Sequence, residues 1–192
     1  AALEANSGWE WNGRVLTSAA RRGVRSGSPG PLGQIRASVG ERADMVLEIR
    51  LGQSERHRIR LRPLGARPAV VRLDAGRAVY RDAYASTDVI VVATPERWEE
   101  FLLLRDGAAP SKFSWHADVT EGLAFVSRGQ DGGLHFSDAH GDASLVFAKP
   151  YAVDANGVRR DADLEWTGSE LELSVDTLGL AFPVLLDPVA YL

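Results

Sequence analysis

A chain of 192 residues with a formal net charge of -4 suffices for one large β domain or two small sandwiches, and folding should bury roughly 70% of its unfolded surface. The mild acidity argues against a dedicated nucleic-acid partner, and the absence of cysteine excludes disulfides and thiolate metal sites while leaving the compartment open. No apolar run approaches the ~20 residues that a spanning helix needs, so no membrane span is expected. Basic residues are almost all arginine, Lys112 and Lys149 being the two lysines, which reads as genomic base-composition bias. The chain starts at Ala1 without an initiator methionine or signal peptide and is read as processed or trimmed.

In the N-terminal half, residues 1–104, a fraying start over Ala1–Asn6 leads to a first strand. There Trp9 and Trp11 alternate with Glu10 and Asn12, and Val15 and Leu16 continue the pattern. Residues 21–31, basic and rich in Gly and Pro, are expected to be a mobile surface loop. Ile35, Ala37 and Val39 open a second series. Met45, Leu47, Ile49 and Leu51 alternate cleanly, with Asp44, Glu48 and Arg50 outward. After a Gly52–Glu55 turn, Ile59 and Leu61 alternate with Arg58, Arg60 and Arg62, which predicts a hairpin with a charged outer face. Alternation makes that arginine run a solvated strand face rather than a basic patch. Val70, Val71 and Leu73 follow, then Ala78-Val79-Tyr80. Val89–Val92 is apolar on both faces, as a covered central strand would be. Trp98–Leu104 reads as a strand, with Phe101 and Leu103 in alternation. Arg105–Ser111 is the expected boundary before the second half, residues 112–192.

That second half reads as an antiparallel meander. Phe113, Trp115 and Ala117 set a two-residue period, and Leu123/Phe125, Leu134/Phe136, Leu145/Phe147, Leu164/Trp166 and Leu171/Leu173/Val175 repeat it. Turn-forming clusters separate them, among them Gly129–Gly133, Asp138–Asp142 and Asp154–Gly157, where Asn156-Gly157 suggests a two-residue hairpin turn. The fold class is therefore all-β: an antiparallel sandwich rich in hairpins, either one domain or two packed β subdomains.

Several pieces of the chain resemble a module near the N-terminus of very large secreted bacterial proteins that carry RHS/YD or FG-GAP (integrin-like) repeats downstream. They are Ala78-Val79-Tyr80, Thr87-Asp88-Val89, Trp98–Leu104, Pro110–Trp115, Ser137–Gly141, Pro150–Gly157 and Phe182–Pro188. The order of the pieces carries the resemblance, which is best from about Arg77 onward. It implies an extracellular or cell-surface, β-rich, non-catalytic segment of a bacterial protein, leading into repeats, and it brings no catalytic residues.

Constellations that suggest chemistry are better explained by structure. His135 and His140 near Asp131 and Asp138 match no metal-ligand spacing. Ser114, His116 and Asp118 share one strand face and run too parallel for a triad. Asp154–Gly157 with Asp161 and Asp163 places its glycine wrongly for a calcium loop. Asp187-Pro188 has no evident second acid beside it. No catalytic residue, metal or cofactor is therefore expected. Among the five tryptophans, Trp115 and Trp166 fit the core, whereas Trp9, Trp11 and Trp98 are the candidate binding residues. The expected function is a structural or interaction module, with neighbouring domains of the same polypeptide or another protein as partners. A glycan-binding module using exposed Trp is the alternative, with polysaccharide as partner, and a hydrolase is the third reading.

Overall fold

The computed structural model describes residues 8–18, 34–52, 55–141 and 144–192. The expected fraying at 1–6, the loop at 21–31 and part of the Gly52–Glu55 turn lie outside them. In chain order the strands are β1 (Trp9–Asn12), β2 (Val15–Ser18), β3 (Ile35–Gly40), β4 (Leu47–Leu51), β5 (Arg58–Pro63), β6 (Val71–Asp74), β7 (Arg77–Tyr84), β8 (Thr87–Ala93), β9 (Arg97–Leu104) and β10 (Lys112–Val119). There follow β11 (Phe125–Arg128), β12 (Leu134–Ser137), β13 (Ser144–Phe147), β14 (Tyr151–Val153), β15 (Arg159–Asp161), β16 (Asp163–Trp166), β17 (Glu170–Ser174), β18 (Val184–Asp187) and β19 (Val189–Tyr191). Among the described residues there is no α-helix, only a 3-10 turn at Glu121–Leu123.

The strands form two packed antiparallel sheets, the all-β sandwich expected from the alternation. The first sheet has eight strands in the order β1-β2-β3-β4-β5-β10-β17-β16. The second is organised around β9, which pairs with β8 on one side and with β18 and β19 on the other. β18 and β19 flank Pro188, and their outer sides carry two wings, β14-β15 and β13-β12-β11. Both sheets mix strands from before and after the Arg105–Ser111 segment: β10 pairs with β5, and β18 pairs with β9. That segment therefore does not separate independent hydrogen-bonded units.

Inner faces meet as the sequence pattern requires. Ile49, Leu51, Ile59 and Leu61 are fully buried, as are Phe113 and Trp115. Each such side chain contributes roughly 1.5–3 kcal/mol through removal from water. Tyr84 meets Phe113 edge-on across the sheets at 5.1 Å, and Phe136 meets Trp166 at 5.3 Å. The Tyr80 hydroxyl donates to the Gly40 carbonyl at 2.6 Å, so the two sheets are also pinned by a polar bond.

Some local expectations are corrected. Phe125 is 57% exposed, because β11 is an edge strand with nothing packed on that side. In β9 the core face is Trp98, Glu100, Leu102 and Leu104, opposite to the Phe101/Leu103 phase. The hairpin between β14 and β15 has a three-residue loop, Ala155-Asn156-Gly157, closed by a bond from Asp154 N–H to the Val158 carbonyl. Gly157 takes φ of +80°, the left-handed position of this turn.

Asp154 holds that hairpin. Its Oδ1 accepts from the amides of Asn156 and Val158, both at 2.8 Å, and its Oδ2 accepts from Ala181 N–H at 2.9 Å. The Ala181 amide above all, with the two loop amides, holds the carboxyl below the ordinary aspartate range. Its stabilising effect is thus present above that ordinary range and is lost as pH falls through the depressed value. Asp154→Ala should lower Tm by several degrees at pH 7. The gap to the parent protein should narrow on acidification, as thermal melts across pH will read.

Candidate functional site: the outer face of the eight-stranded sheet

A groove of about 1130 Å³ lies on the solvent side of the first sheet, spanning β1 to β5 and β10. It arises directly from period-two alternation. While Leu47, Ile49 and Leu51 point inward, Glu48 and Arg50 point outward, and the same holds for Arg60 and Arg62 on β5 and for His116 and Asp118 on β10. Among the described residues five arginines and three carboxylates line it.

Register decides how these charges meet. Arg36, Arg50 and Arg58 lie directly opposite one another across β3, β4 and β5. Like charges placed opposite each other in a ladder are destabilising, so this row is a cost to the fold. Glu48 offsets part of it: Arg50 Nη2 reaches its Oε1 at 2.6 Å and Arg60 Nε its Oε2 at 2.9 Å, with Arg58 Nε 3.9 Å away. Burial alone would raise the Glu48 carboxyl, but the hydrogen bonds from Arg60 and Arg50 outweigh it and hold the group below its ordinary range. Glu55 pairs with Arg50 and with Arg58, and Arg42 is bound by Asp44 through two bonds of 2.7 and 2.9 Å. Arg36 and Arg62 are exposed and have no ion-pair partner among the described residues.

The same face turns acidic toward its far edge. Glu172 of β17 stands opposite Glu165 of β16, and Glu170 opposite His116. Lys112 reaches Glu172 at 2.7 Å. Positive charge is therefore gathered over β3–β5 and negative charge over β16–β17.

The residues singled out by sequence are dispersed. Trp9 is 3% exposed, with its indole N–H donating to the Gly76 carbonyl at 3.0 Å, and Trp98 is 2% exposed in the core. Neither presents a ring face to solvent, which corrects the expectation that both stand free: Trp9 of the first sheet is covered from the Gly76 turn of the second, and Trp98 of the second faces Leu61, Trp115, Leu164 and Leu171 of the first. Trp11 is 46% exposed at the edge strand β1. His116 and Asp118 stand in the groove opposite Arg62 and Arg60. His135 Nε2 lies 3.6 Å from Asp131 Oδ1, and no group of three or more potential ligands converges among the described residues.

Two features escape sequence reading. Glu100 projects inward from β9 and is 3% exposed. Burial pushes its carboxyl up to about 8. The buried Tyr84 hydroxyl and the indole nitrogens of Trp98 and Trp115 find no partner in hydrogen-bonding geometry among the described residues. Cavities of about 20 and 10 Å³ flank Glu100, each with room for at most one water, so this is an interior polar cluster and no substrate pocket. On the outer face of the second sheet, Glu99 is the acid beside Asp187 that sequence did not find. Burial raises both carboxyls, and the Tyr151 hydroxyl faces Asp187.

No protein family matches the chain, and no curated protein or solved structure is significantly similar to it.

Proposed function

We propose that the protein is a non-catalytic interaction module of a large exported bacterial surface or toxin-type protein, and that it makes its contacts through the outer face of the eight-stranded sheet. The observation that carries this is the form of the groove: open, polar and rich in charge, with Asp44 and Glu48 bonded to neighbouring arginines, and His116 and Asp118 opposite Arg62 and Arg60 in the ladder, rather than gathered at a shared reaction centre. The motif order quoted above supports the origin. Those motifs fall on joints of the fold, among them the Asp88 contact, the β9 centre, the Asp154 hairpin and the Pro188 junction between β18 and β19, and such positions serve scaffold rather than chemistry.

A panel of glycosidase, esterase and peptidase substrates tests this reading. No turnover above buffer is expected, and specific turnover abolished by His116→Ala would overturn it. The exposure of Trp11 favours a second reading, glycan stacking at the β1 edge. That reading expects retention on neutral polysaccharide that drops at least tenfold in Trp11→Ala; affinity electrophoresis decides it, and unchanged retention removes it.

A further inference from the structure

We infer that the groove on the first sheet binds an extended anionic polysaccharide, one bearing repeated carboxylate or sulfate groups, with Arg36 and Arg62 as its anchoring cations. This rests on the interaction reading above and names the class of partner for that surface. The chain is acidic overall, at -4, yet among the described residues five arginines face three carboxylates in this one concavity, and two of the five, Arg36 and Arg50, stand with Arg58 in a destabilising row. Arg36 and Arg62 remain unpaired among the described residues, and a guanidinium fork matches a carboxylate or sulfate oxygen pair.

Spacing selects a polymer. From Arg36 the register runs through Arg50 to Arg58, two strands away, and Arg62 lies four residues further along β5. Standard strand spacing and rise put the two anchors roughly 16 Å apart. One small anion cannot reach both, whereas a chain with repeated charges can. The remaining lining favours a sugar over other polyanions. Asn12, Thr17 and Ser38 add small neutral hydrogen-bonding groups for hydroxyls. Among the described residues that line the groove, His116 carries the one aromatic ring that could stack on bases, which weighs against single-stranded nucleic acid. The backbone groups beneath Arg36 and Arg62 are committed on both sides to the ladders of β2 to β5 and β10, so an acidic peptide lying over these two anchors finds no edge on which to add a strand.

The test is a titration of the 192-residue protein at low salt with polygalacturonate, dextran sulfate, neutral dextran, poly-L-glutamate, a single-stranded oligonucleotide and galacturonate monomer. Saturable binding of the two anionic polysaccharides is expected, at least tenfold tighter than monomer at equal anion concentration and weakened by added salt. The double variant Arg36→Ala/Arg62→Ala should lose at least tenfold, while Arg72→Ala, an exposed arginine on the other sheet, should bind as the parent does. Thermal melts check that the variants fold. Absence of binding, equal binding of dextran, or equal binding of polyglutamate or oligonucleotide overturns the inference, as does binding indifferent to Arg36 and Arg62. Such failures leave the turnover panel untouched, whereas turnover would defeat the interaction reading even if polyanions bind.

Discussion

Glu100→Gln should make the protein more stable than its parent above pH 8 and should flatten the pH dependence of its stability. The carboxyl lies on the inner face of β9 among Trp98, Tyr80, Tyr84 and Trp115, and burial raises it from 4.5 to about 8. Between those values the folded protein holds a proton that the unfolded chain releases. Stability therefore falls as pH rises from about 4.5 to about 8 and levels off once the folded state ionises as well. At about 1.4 kcal/mol per pH unit, the full penalty is on the order of 4–5 kcal/mol. Glutamine has nearly the same shape and cannot ionise, so it escapes that penalty. Its amide brings one more donor than a protonated acid into apolar surroundings, a cost of about 1 kcal/mol near pH 5. Urea melts at pH 5 and pH 9 should show the order of the two proteins reversing. A parent whose stability is level between pH 5 and 8 would refute this account of the interior.

The second large effect is expected at Asp88, whose side chain is 0% exposed. β7 carries a register shift between Tyr80 and Tyr84, and Asp82 there takes φ of +54°. Asp88 fastens this irregularity from the neighbouring strand. Its Oδ1 accepts from Asp82 N–H at 2.9 Å and from Arg105 at 3.1 Å, while its Oδ2 accepts from Arg81 at 2.6 Å. Arg105 also binds the Asp82 carboxylate. Asp88→Ala removes every acceptor at once and leaves the Asp82 amide and two guanidiniums facing a methyl group. Breaking a buried pair costs about 3–5 kcal/mol, and because both arginines reach solvent the lower end applies, about 3 kcal/mol. For a chain of this length that is a Tm fall of about 6–12 °C. Asp88→Asn retains an acceptor and should lose about half as much. Equal losses in the two variants would mean that charge, not the bulge amide, dominates.

What sequence reveals here follows from where each face is settled. The strands Leu47–Leu51 and Lys112–Val119 have one oily and one polar side, so their phase is fixed by composition, and the sandwich follows. β9 is apolar on both sides, and a pattern with two oily faces has no phase; hence Glu100 was not recognised as an interior group. Phe125 looks like a core residue by type, but its strand ends a wing and its exposure depends on what lies beyond. Trp9 and Trp98 are covered by elements distant in sequence, which local pattern cannot anticipate. The groove was half legible: alternation turns Arg50, Arg58 and Arg60 outward, but that Arg36 stands beside Arg50, and that Glu48 serves three arginines, depends on strand register. Asp88 and Asp154 were visible as strand and turn residues, while their partners Asp82, Arg105 and Ala181 are joined to them only by the fold.

The most direct test is to follow backbone amide signals of the isotopically labelled protein by NMR while polygalacturonate is added. Changes should be confined to the outward stretch of β3, β4, β5 and β10, centred on Arg36, Arg50, Arg62 and His116, with β9 and β18 undisturbed. Signals that move instead around Glu100 or Asp187, or a spectrum that stays unchanged at saturating polymer, would contradict a binding surface on the eight-stranded sheet.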